Sequence, residues 1–337
     1  MALTPLFALA RALIDIPSVT GDEGPLARHL ERELTARGFS VRLQEVAPDR
    51  FNVFATHGKA VSIVLCTHLD TVAPYIRSSE DENHIYGRGA CDAKGILAAM
   101  VTAVQELAPE EAERVGLLFV VGEEVDSAGA RRANNLAVGS RYIIVGEPTE
   151  NRLASGHKGA LEFVIRAGGR AAHSAYPHRG DSAIDRLLLA LDRIRHADWG
   201  RDSPLGDATV NVGTLAGGIA GNVVPPTAEA RVFLRLVGPS VQAVHTLDRI
   251  VGPDPQLTYE IVTRSEPVKC YCPDGIEADP VAFGSDIPAL SSFGEPLLVG
   301  PGSIHDAHSD GEKVEKRQLT EGVRLYRDLV QRLLDAP

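Results

Sequence analysis

The sequence predicts an α/β protein with a mostly parallel sheet, interrupted by an inserted α+β module. Continuous apolar runs such as Val61–Cys66 alternate with amphipathic helical segments, which is typical of strands buried on both faces. From about Gly159 to about Arg264 the segments become shorter and alternate apolar with polar residues, as in antiparallel sheets. Apolar segments of the first kind return near 296–300, so the first domain is predicted to be discontinuous.

Length and composition narrow the class of protein. A chain of 337 residues with 44% hydrophobic and 23% charged residues fits roughly two globular domains. Its net charge of -11 argues against nucleic-acid or membrane partners and favours a small molecule. Four irregularly spaced cysteines do not resemble a disulfide framework, which favours a cytoplasmic protein. No apolar run approaches the ~18 residues that span a bilayer.

The first elements are predicted from periodicity and capping signals. A helix is expected over residues 5–15, and a second one, capped by Asp22, should end at Gly38. Strands are expected at 39–46, 51–56 and 61–66, followed by a helix from Lys94 to about Leu107 and, near the end of the chain, one from about Glu312 to Leu334.

Three apolar strands end on residues that can bind metals. Ligands in open α/β sheets collect beyond the carboxyl ends of the parallel strands. Any one of these side chains alone is more often a solvated turn residue, but acids crowded at one sheet edge repel unless a cation offsets them. The residues are His68 and Asp70 after the strand 61–66, Glu123 and Glu124 after the run that begins at Val115, Glu147 after the run at 141–146, and Asp92 before the helix at Lys94.

A histidine near the end of the chain completes the predicted metal centre. The segment G-P-G-S-I-H-D-A-H offers His305 and His308. Mixed histidine and carboxylate ligands suit zinc or a similar divalent ion, and the set is large enough for two ions sharing a bridging carboxylate. A carboxylate two residues after His68 suits a partner for its second ring nitrogen.

The insert has the order strand, helix, strand, strand, helix, strand. This order is that of a ferredoxin-like split βαβ module. The predicted domains are therefore 1–158 with 270–337, which carries the metal site, and 159–269, which is inserted.

Several motifs in order resemble a known family. They are T-H-L-D-T-V, Y-G-R-G-A-C-D-A-K-G, G-E-E, V-G-E-P-T, G-R-A-A-H-S-A-Y-P, G-N-V-V-P and G-P-G-S-I-H-D-A-H. Across essentially the whole chain they resemble the acetylornithine deacetylase and succinyl-diaminopimelate desuccinylase family of co-catalytic zinc amidohydrolases and peptidases, which includes aminoacylase and glutamate carboxypeptidase. The resemblance implies a zinc-hydrolase catalytic domain with an inserted lid and dimerisation domain.

The resemblance also implies roles for individual residues. His68 and Glu147 would bind one Zn²⁺ and Glu124 and His308 the other, with Asp92 bridging both and Co²⁺ as a substitute metal. His308 is preferred to His305 because the family places its ligand in the Ala-His pair. Asp70 would orient His68, and Glu123 would be the general base that assists a metal-bound hydroxide.

In the insert, the resemblance implies three further functional residues. His173 would stabilise the oxyanion in the active site of a partner subunit, so a homodimer through the lid is expected. Asn222 and Arg235 would grip a substrate carboxylate. The family often has Asp two positions before this arginine, where this chain has Phe233. The side chain that supports Arg235 locally is therefore expected to differ from the family pattern.

The predicted function is removal of an acetyl- or succinyl-type acyl group from the nitrogen of an amino acid. A metallo-carboxypeptidase or dipeptidase, or a hydrolase that releases an amino acid from a carrier protein, uses the same chemistry and stays open. A non-catalytic metal-binding protein is disfavoured because Glu123 is kept beside a ligand. The chain lacks the third glycine of G-x-G-x-x-G, a P-loop and a G-x-S-x-G elbow, which argues against dinucleotide binding and serine hydrolysis.

Overall fold

A computed structural model describes residues 5–136 and 138–336. The chain divides into two compact units. The first comprises residues up to Ser155, Cys270–Asp279 and the segment from Ser285, and the second comprises Gly156–Lys269 and Pro280–Gly284. The insert was predicted at 159–269, whereas the second unit begins three residues earlier, at Gly156. The second unit also includes the short segment 280–284, which was not predicted.

The described residues form eight α-helices and eighteen strands. The helices are α1 (Pro5–Ile14), α2 (Gly24–Ala36), α3 (Lys94–Gln105), α4 (Pro109–Ala112), α5 (Ala128–Ala133), α6 (Ala183–His196), α7 (Ser240–Val251) and α8 (Lys316–Asp335). The strands are β1 (Ser40–Ala47), β2 (Arg50–Thr56), β3 (Ile63–His68), β4 (Ser79–Glu80), β5 (His84–Tyr86), β6 (Val115–Val120), β7 (Tyr142–Val145), β8 (Leu153–His157), β9 (Gly159–Gly168), β10 (Arg201–Asp202), β11 (Gly206–Asp207), β12 (Thr209–Gly217), β13 (Thr227–Leu236), β14 (Leu257–Ser265), β15 (Val268–Lys269), β16 (Ala278–Val281), β17 (Glu295–Leu298) and β18 (Lys313–Glu315).

The main sheet of the first unit is parallel at its centre. Its order is β1-β2-β6-β3-β7-β17-β8, and β6, β3, β7 and β17 run parallel to one another. Every residue of β3, β6 and β7 is buried, as continuous apolar strands covered on both faces require. The predicted α/β class with a mostly parallel central sheet is confirmed, with antiparallel pairing at β1-β2, β2-β6 and β17-β8.

Register brings the functional loops to one edge of this sheet. In the β3–β6 pair His68 lies opposite Val120, and in the β3–β7 pair Cys66 lies opposite Val145. Because these strands are parallel, the residues that follow each of them emerge at the same edge. Helix α3, which begins directly after Asp92 and Ala93, is buried over almost its whole length.

Two helix starts differ from the sequence prediction. Helix α2 begins at Gly24 with Glu23 as its N-cap, so Asp22 does not cap it. Glu23 instead accepts two hydrogen bonds from the Arg50 guanidinium, at 2.8 and 2.6 Å. Helix α8 begins at Lys316 because the preceding residues, β18, pair with β5 as a strand.

The second unit is a four-stranded antiparallel sheet in the order β12-β13-β9-β14 with helices α6 and α7. This is the strand order of a ferredoxin-like module. Its core is formed by alternate residues of the strands together with apolar residues of both helices, for example Phe163, Val232 and Leu187. The intervening strand residues carry ion pairs such as Arg231 with Glu162 at 2.6 Å.

Among the described residues, none of the helices has the length and apolar character needed to cross a bilayer.

Candidate metal centre

His68 and Asp92 form the buried half of the site. His68 ends β3 and is 1% exposed, and its Nε2 lies 2.8 Å from Asp92 Oδ1. Asp92 follows a turn in which Gly87 and Gly89 have positive φ, and its peptide bond to Ala93 is cis. Burial by itself lowers the pKa of the His68 imidazole, but hydrogen bonds to Asp70 and Asp92 outweigh it and raise that pKa well above its ordinary value.

Asp70 supports His68 mainly through its backbone. His68 Nδ1 donates to the Asp70 carbonyl oxygen at 2.9 Å, whereas the nearest Asp70 carboxylate oxygen is 3.6 Å away. The carboxylate serves another loop, because it accepts the backbone N–H groups of Gly122, Glu123 and Glu124 at 2.9, 3.1 and 3.2 Å. It also accepts the Thr20 hydroxyl at 2.8 Å. Asp70 therefore fixes the loop that presents both acids of G-E-E.

His308 reaches the other side of Asp92. Its Nε2 lies 3.0 Å from Glu124 Oε1 and 3.3 Å from Asp92 Oδ2, so each Asp92 oxygen faces a different imidazole. The half-exposed side chain extends from a backbone with φ of +59°, an uncommon conformation for a residue with a Cβ. Hydrogen bonds to Asp92 and Glu124 raise the pKa of His308 to about 10. These contacts are made by His308, and His305 is an exposed neighbour.

Two further acids share the same electrostatic environment. Glu147, two residues after β7, is buried, and burial together with the charges of Glu123 and Asp92 raises its pKa well above the ordinary value. Burial raises the pKa of Glu123 in the same way, and the neighbouring acids raise it further against the lowering effect of His68. Asp92 differs from them, because its contacts with His308 and His68 outweigh burial and lower its pKa.

The geometry and protonation of these residues fit a divalent cation. A carbonyl oxygen only accepts, so the His68 Nδ1 that faces it carries the proton. The raised pKa of His68 means that without metal Nε2 also carries a proton, which it donates to Asp92, and a divalent cation would take the place of that proton between the two groups. Ligand atoms of His68, Asp92 and Glu124 all lie within 4.8 Å of one another. Ligands about 2.0–2.2 Å from one zinc ion need such separations.

The sequence prediction did not single out Arg88 and Glu312. Both are buried charged residues, and they pair at 2.6 Å beneath the turn that carries Asp92. The motif Y-G-R-G-A-C-D-A-K-G contains Arg88, yet charged residues in loops are ordinarily solvated, and only the three-dimensional structure shows that this pair is buried. Asp286 was also missed; it is a buried acid in the first unit whose pKa burial raises to about 6.

His173 and Asn222 lie on adjoining segments of the second unit. His173 is exposed, its Nδ1 accepts the backbone N–H of Ala175 at 3.1 Å, and it forms an isolated bridge with Val223. The backbone N–H of Ser174 donates to the Asn222 carbonyl at 3.0 Å. Both side chains are thus presented at the surface of this unit by a paired backbone.

Arg235 is a half-buried cation on β13 of the second unit. Its guanidinium carbon lies 4.9 Å from the centre of the Phe233 ring, a cation–π distance. Burial lowers the pKa of Arg235, and among the described residues no carboxylate opposes that effect. Phe233 thus supports the guanidinium by stacking where the family often has an acid, which leaves the N–H donors of Arg235 free for another anion.

Comparison with known proteins follows the same outline. The profile of Peptidase family M20/M25/M40 matches residues 64–332. A protein of Aspergillus niger named a probable carboxypeptidase is 37% identical over 375 residues, which cover 97% of this chain and 89% of that protein.

Solved structures share the fold at lower identity. A tripeptidase from Staphylococcus aureus superposes with a TM-score of 0.83 at 21% identity and covers 98% of both chains. A Bacillus subtilis protein described as a dinuclear metal-binding peptidase superposes with a TM-score of 0.73 at 16% identity, again over 98% of both chains. With its matching profile and its 37% identical relative, this chain belongs to the M20/M25/M40 peptidase family of metal-dependent hydrolases.

Proposed function

We propose that this protein hydrolyses the amide bond between an acyl group and an amino acid that keeps a free carboxylate. The observation behind this proposal is the arrangement of His68, Asp92 and His308, in which one carboxylate lies between two imidazoles beside Glu124. Zn²⁺ or another divalent ion bound by these residues and Glu147 would polarise the scissile carbonyl and activate water. The family includes dinuclear members, and two ions per subunit are part of the proposal.

Glu123 is the proposed general base. Its backbone N–H is held by Asp70 at 3.1 Å, and burial together with neighbouring acids raises its pKa toward the range in which a carboxylate can both take and return a proton. In the proposed reaction Glu123 takes the proton of the attacking water and passes it to the leaving nitrogen. The neighbouring Glu124 contacts His308 and acts as a ligand rather than as the base.

The second unit is proposed to recognise the amino-acid part of the substrate. Arg235 stacks on Phe233 and has no carboxylate partner in the described part of the chain, so its N–H donors can bind a substrate carboxylate together with Asn222. His173 is proposed to stabilise the oxyanion of a partner subunit in a homodimer formed by this unit. A cytoplasmic location is proposed from four free thiols in the described chain.

Two kinds of acyl group are compatible with this chemistry. An acetyl or succinyl group would make the protein an N-acyl-amino-acid deacylase of the acetylornithine deacetylase type. A peptidyl group would make it a carboxypeptidase, dipeptidase or carrier-protein hydrolase. The name of the Aspergillus niger relative favours the carboxypeptidase as the second candidate.

Steady-state kinetics on matched substrates test the proposal. The set comprises acetylornithine, acetylcitrulline, succinyl-diaminopimelate, dipeptides, longer peptides and the same compounds with the terminal carboxylate converted to a carboxamide. We expect hydrolysis to require added divalent metal and the carboxamides to lose about 100-fold or more in kcat/KM, because a charged hydrogen-bonded pair is lost. Equal turnover of carboxylates and carboxamides would contradict the proposal. Faster turnover of peptides than of all acyl amino acids would select the second candidate.

A further inference from the structure

A buried acid that has no part in the proposed reaction holds the turn that presents Asp92. Glu312 is 1% exposed and lies four residues after His308. Its Oε1 accepts three hydrogen bonds from backbone N–H groups of one turn, namely those of Gly89 at 2.9 Å, Cys91 at 3.1 Å and Asp92 at 3.1 Å. One carboxylate oxygen thus fixes the backbone on both sides of Cys91.

The other oxygen of Glu312 is held by an equally buried cation. Arg88, 2% exposed, donates from Nη1 to Glu312 Oε2 at 2.6 Å. It also donates to the carbonyl oxygens of Pro74 and Ser309, both at 3.2 Å, and Ser309 directly follows His308. A further link joins the Gly87 N–H to the Glu312 carbonyl at 3.0 Å. The pair therefore ties the Asp92 turn to the segment that carries His308.

The arrangement parallels that of Asp70. Asp70 accepts the backbone N–H groups of Gly122, Glu123 and Glu124, and Glu312 accepts three backbone N–H groups of the turn that ends at Asp92. The Arg88–Glu312 pair contacts both the backbone of Asp92 and Ser309, the neighbour of His308. A pair that only stabilised the fold would not need to contact the segments of two candidate ligands. In metal sites, groups that orient the ligands typically change affinity about 10–100-fold when they are removed.

We propose that Glu312, paired with Arg88, is a positioning residue that holds Asp92 between His68 and His308 for metal binding. This inference rests on the proposed metal centre. It predicts that Glu312 controls metal affinity and coordination geometry although it is not a ligand. The amide of Glu312→Gln can still accept from backbone N–H groups through its oxygen, but its NH₂ group then faces Arg88, so the carboxylate arrangement is lost.

Calorimetric titration of the metal-free protein with Co²⁺ and Zn²⁺, together with the visible spectrum of the Co²⁺ form, tests this role. We expect Glu312→Gln to weaken binding about 10–100-fold and to change the Co²⁺ spectrum. Glu315→Gln is the matched control, because Glu315 lies three residues on with a half-exposed side chain that meets Arg317 only at 3.9 Å. The control should bind as the parent protein does.

A second variant covers loss of folding. Glu312→Gln leaves Arg88 buried beside a neutral group, so the double variant Arg88→Met with Glu312→Gln removes both charges together. A folded single or double variant with unchanged affinity and an unchanged Co²⁺ spectrum would overturn the positioning role. Absence of metal binding by the parent protein would instead refute the metal centre itself, so the two failures are distinguishable.

Discussion

Replacement of Asp70 by Asn tests how the G-E-E loop is held. Asp70 is fully buried, and its two oxygens accept four hydrogen bonds, three from consecutive backbone N–H groups and one from Thr20. Asn keeps the size of the side chain but only one accepting oxygen. The Oδ1 side, which faces Gly122 and Glu123, can keep its bonds, whereas the new NH₂ group would face the N–H of Glu124.

The magnitude follows from these contacts. A buried N–H left without a partner costs about 1–3 kcal/mol. The hydrogen bonds from Gly122 and Glu123 are kept, but their acceptor becomes neutral, which costs about 1 kcal/mol for each bond. The Thr20 hydroxyl can rotate and accept instead, so it adds little. Burial raises the pKa of Asp70, but the nearby His68 imidazole and the hydrogen bonds from Thr20 and Glu124 outweigh it and lower that pKa, so the ionised form is favoured in the folded state. We expect Asp70→Asn to destabilise the first unit by about 3–5 kcal/mol.

The assay must report on the first unit. The single tryptophan, Trp199, lies in the second unit, so its fluorescence is unsuitable. Amide hydrogen exchange at residues 122–124, measured with urea unfolding by circular dichroism, reports directly on the loop. We expect faster exchange there and a kcat about 100-fold lower, because Glu123 is displaced. Thr20→Val, which removes one hydroxyl, is the control and should cost only about 1 kcal/mol. Unchanged protection of these amides in Asp70→Asn would refute the reasoning.

Two further predictions concern His308 and Glu123. In the metal-free protein the pKa of His308 is raised to about 10 by its contacts with Asp92 and Glu124, against about 6.5 in an unfolded chain. The raised pKa stabilises the fold fully below pH ~6.5, and this stabilisation is lost as the pH rises toward 10. The melting temperature of protein treated with a chelator should therefore fall over that pH range, and it should fall less in His308→Gln. An equal fall of the melting temperature with pH in both proteins would contradict the prediction. Glu123→Gln should lower kcat about 10²–10⁴-fold with metal content unchanged, whereas the exposed Glu110→Gln should not, and full activity of Glu123→Gln would remove it from its role as base.

The fold was predictable where burial leaves a continuous pattern. Strands β3, β6 and β7 are fully buried and, apart from Thr67 and His68 at the end of β3, carry continuous apolar runs, and each was predicted within two or three residues. The start of α8 was predicted four residues early, because the pairing of Lys313–Glu315 with β5 is a long-range contact that has no local signature. The Asp22 cap failed for a similar reason, since Glu23 is buried by its pair with Arg50.

The candidate site was predictable to the extent that its residues follow strands. The sequence indicates His68, Glu124 and Glu147 as candidates because each lies at or just after the end of a parallel strand, and such strands end at one edge of the sheet. The hydrogen-bond partner of His68 Nδ1 was not predicted correctly. In the structure this nitrogen bonds to the Asp70 carbonyl oxygen, and the Asp70 carboxylate instead accepts the backbone N–H of Glu123. Spacing in sequence indicates which side chains can meet, but it does not distinguish backbone from side-chain oxygens of the same residue.

The same crowding that identifies the site also links metal binding to stability. Glu123 and Glu147 have raised pKa values mainly because they are buried, so their ionised forms are disfavoured in the metal-free fold. Burial also raises the pKa of Glu312, but Glu312 and Asp70 each accept several backbone N–H donors that favour the ionised form and persist without metal. Asp70 and Glu312 therefore hold the ligand loops in place whether or not metal is bound, whereas Glu123 and Glu147 need a nearby cation to favour their ionised forms. A metal ion present at 1,000 times its dissociation constant would stabilise the folded state by about 4.1 kcal/mol. We expect this stabilisation to act mainly at Glu123 and Glu147, whose ionised forms the metal-free fold disfavours.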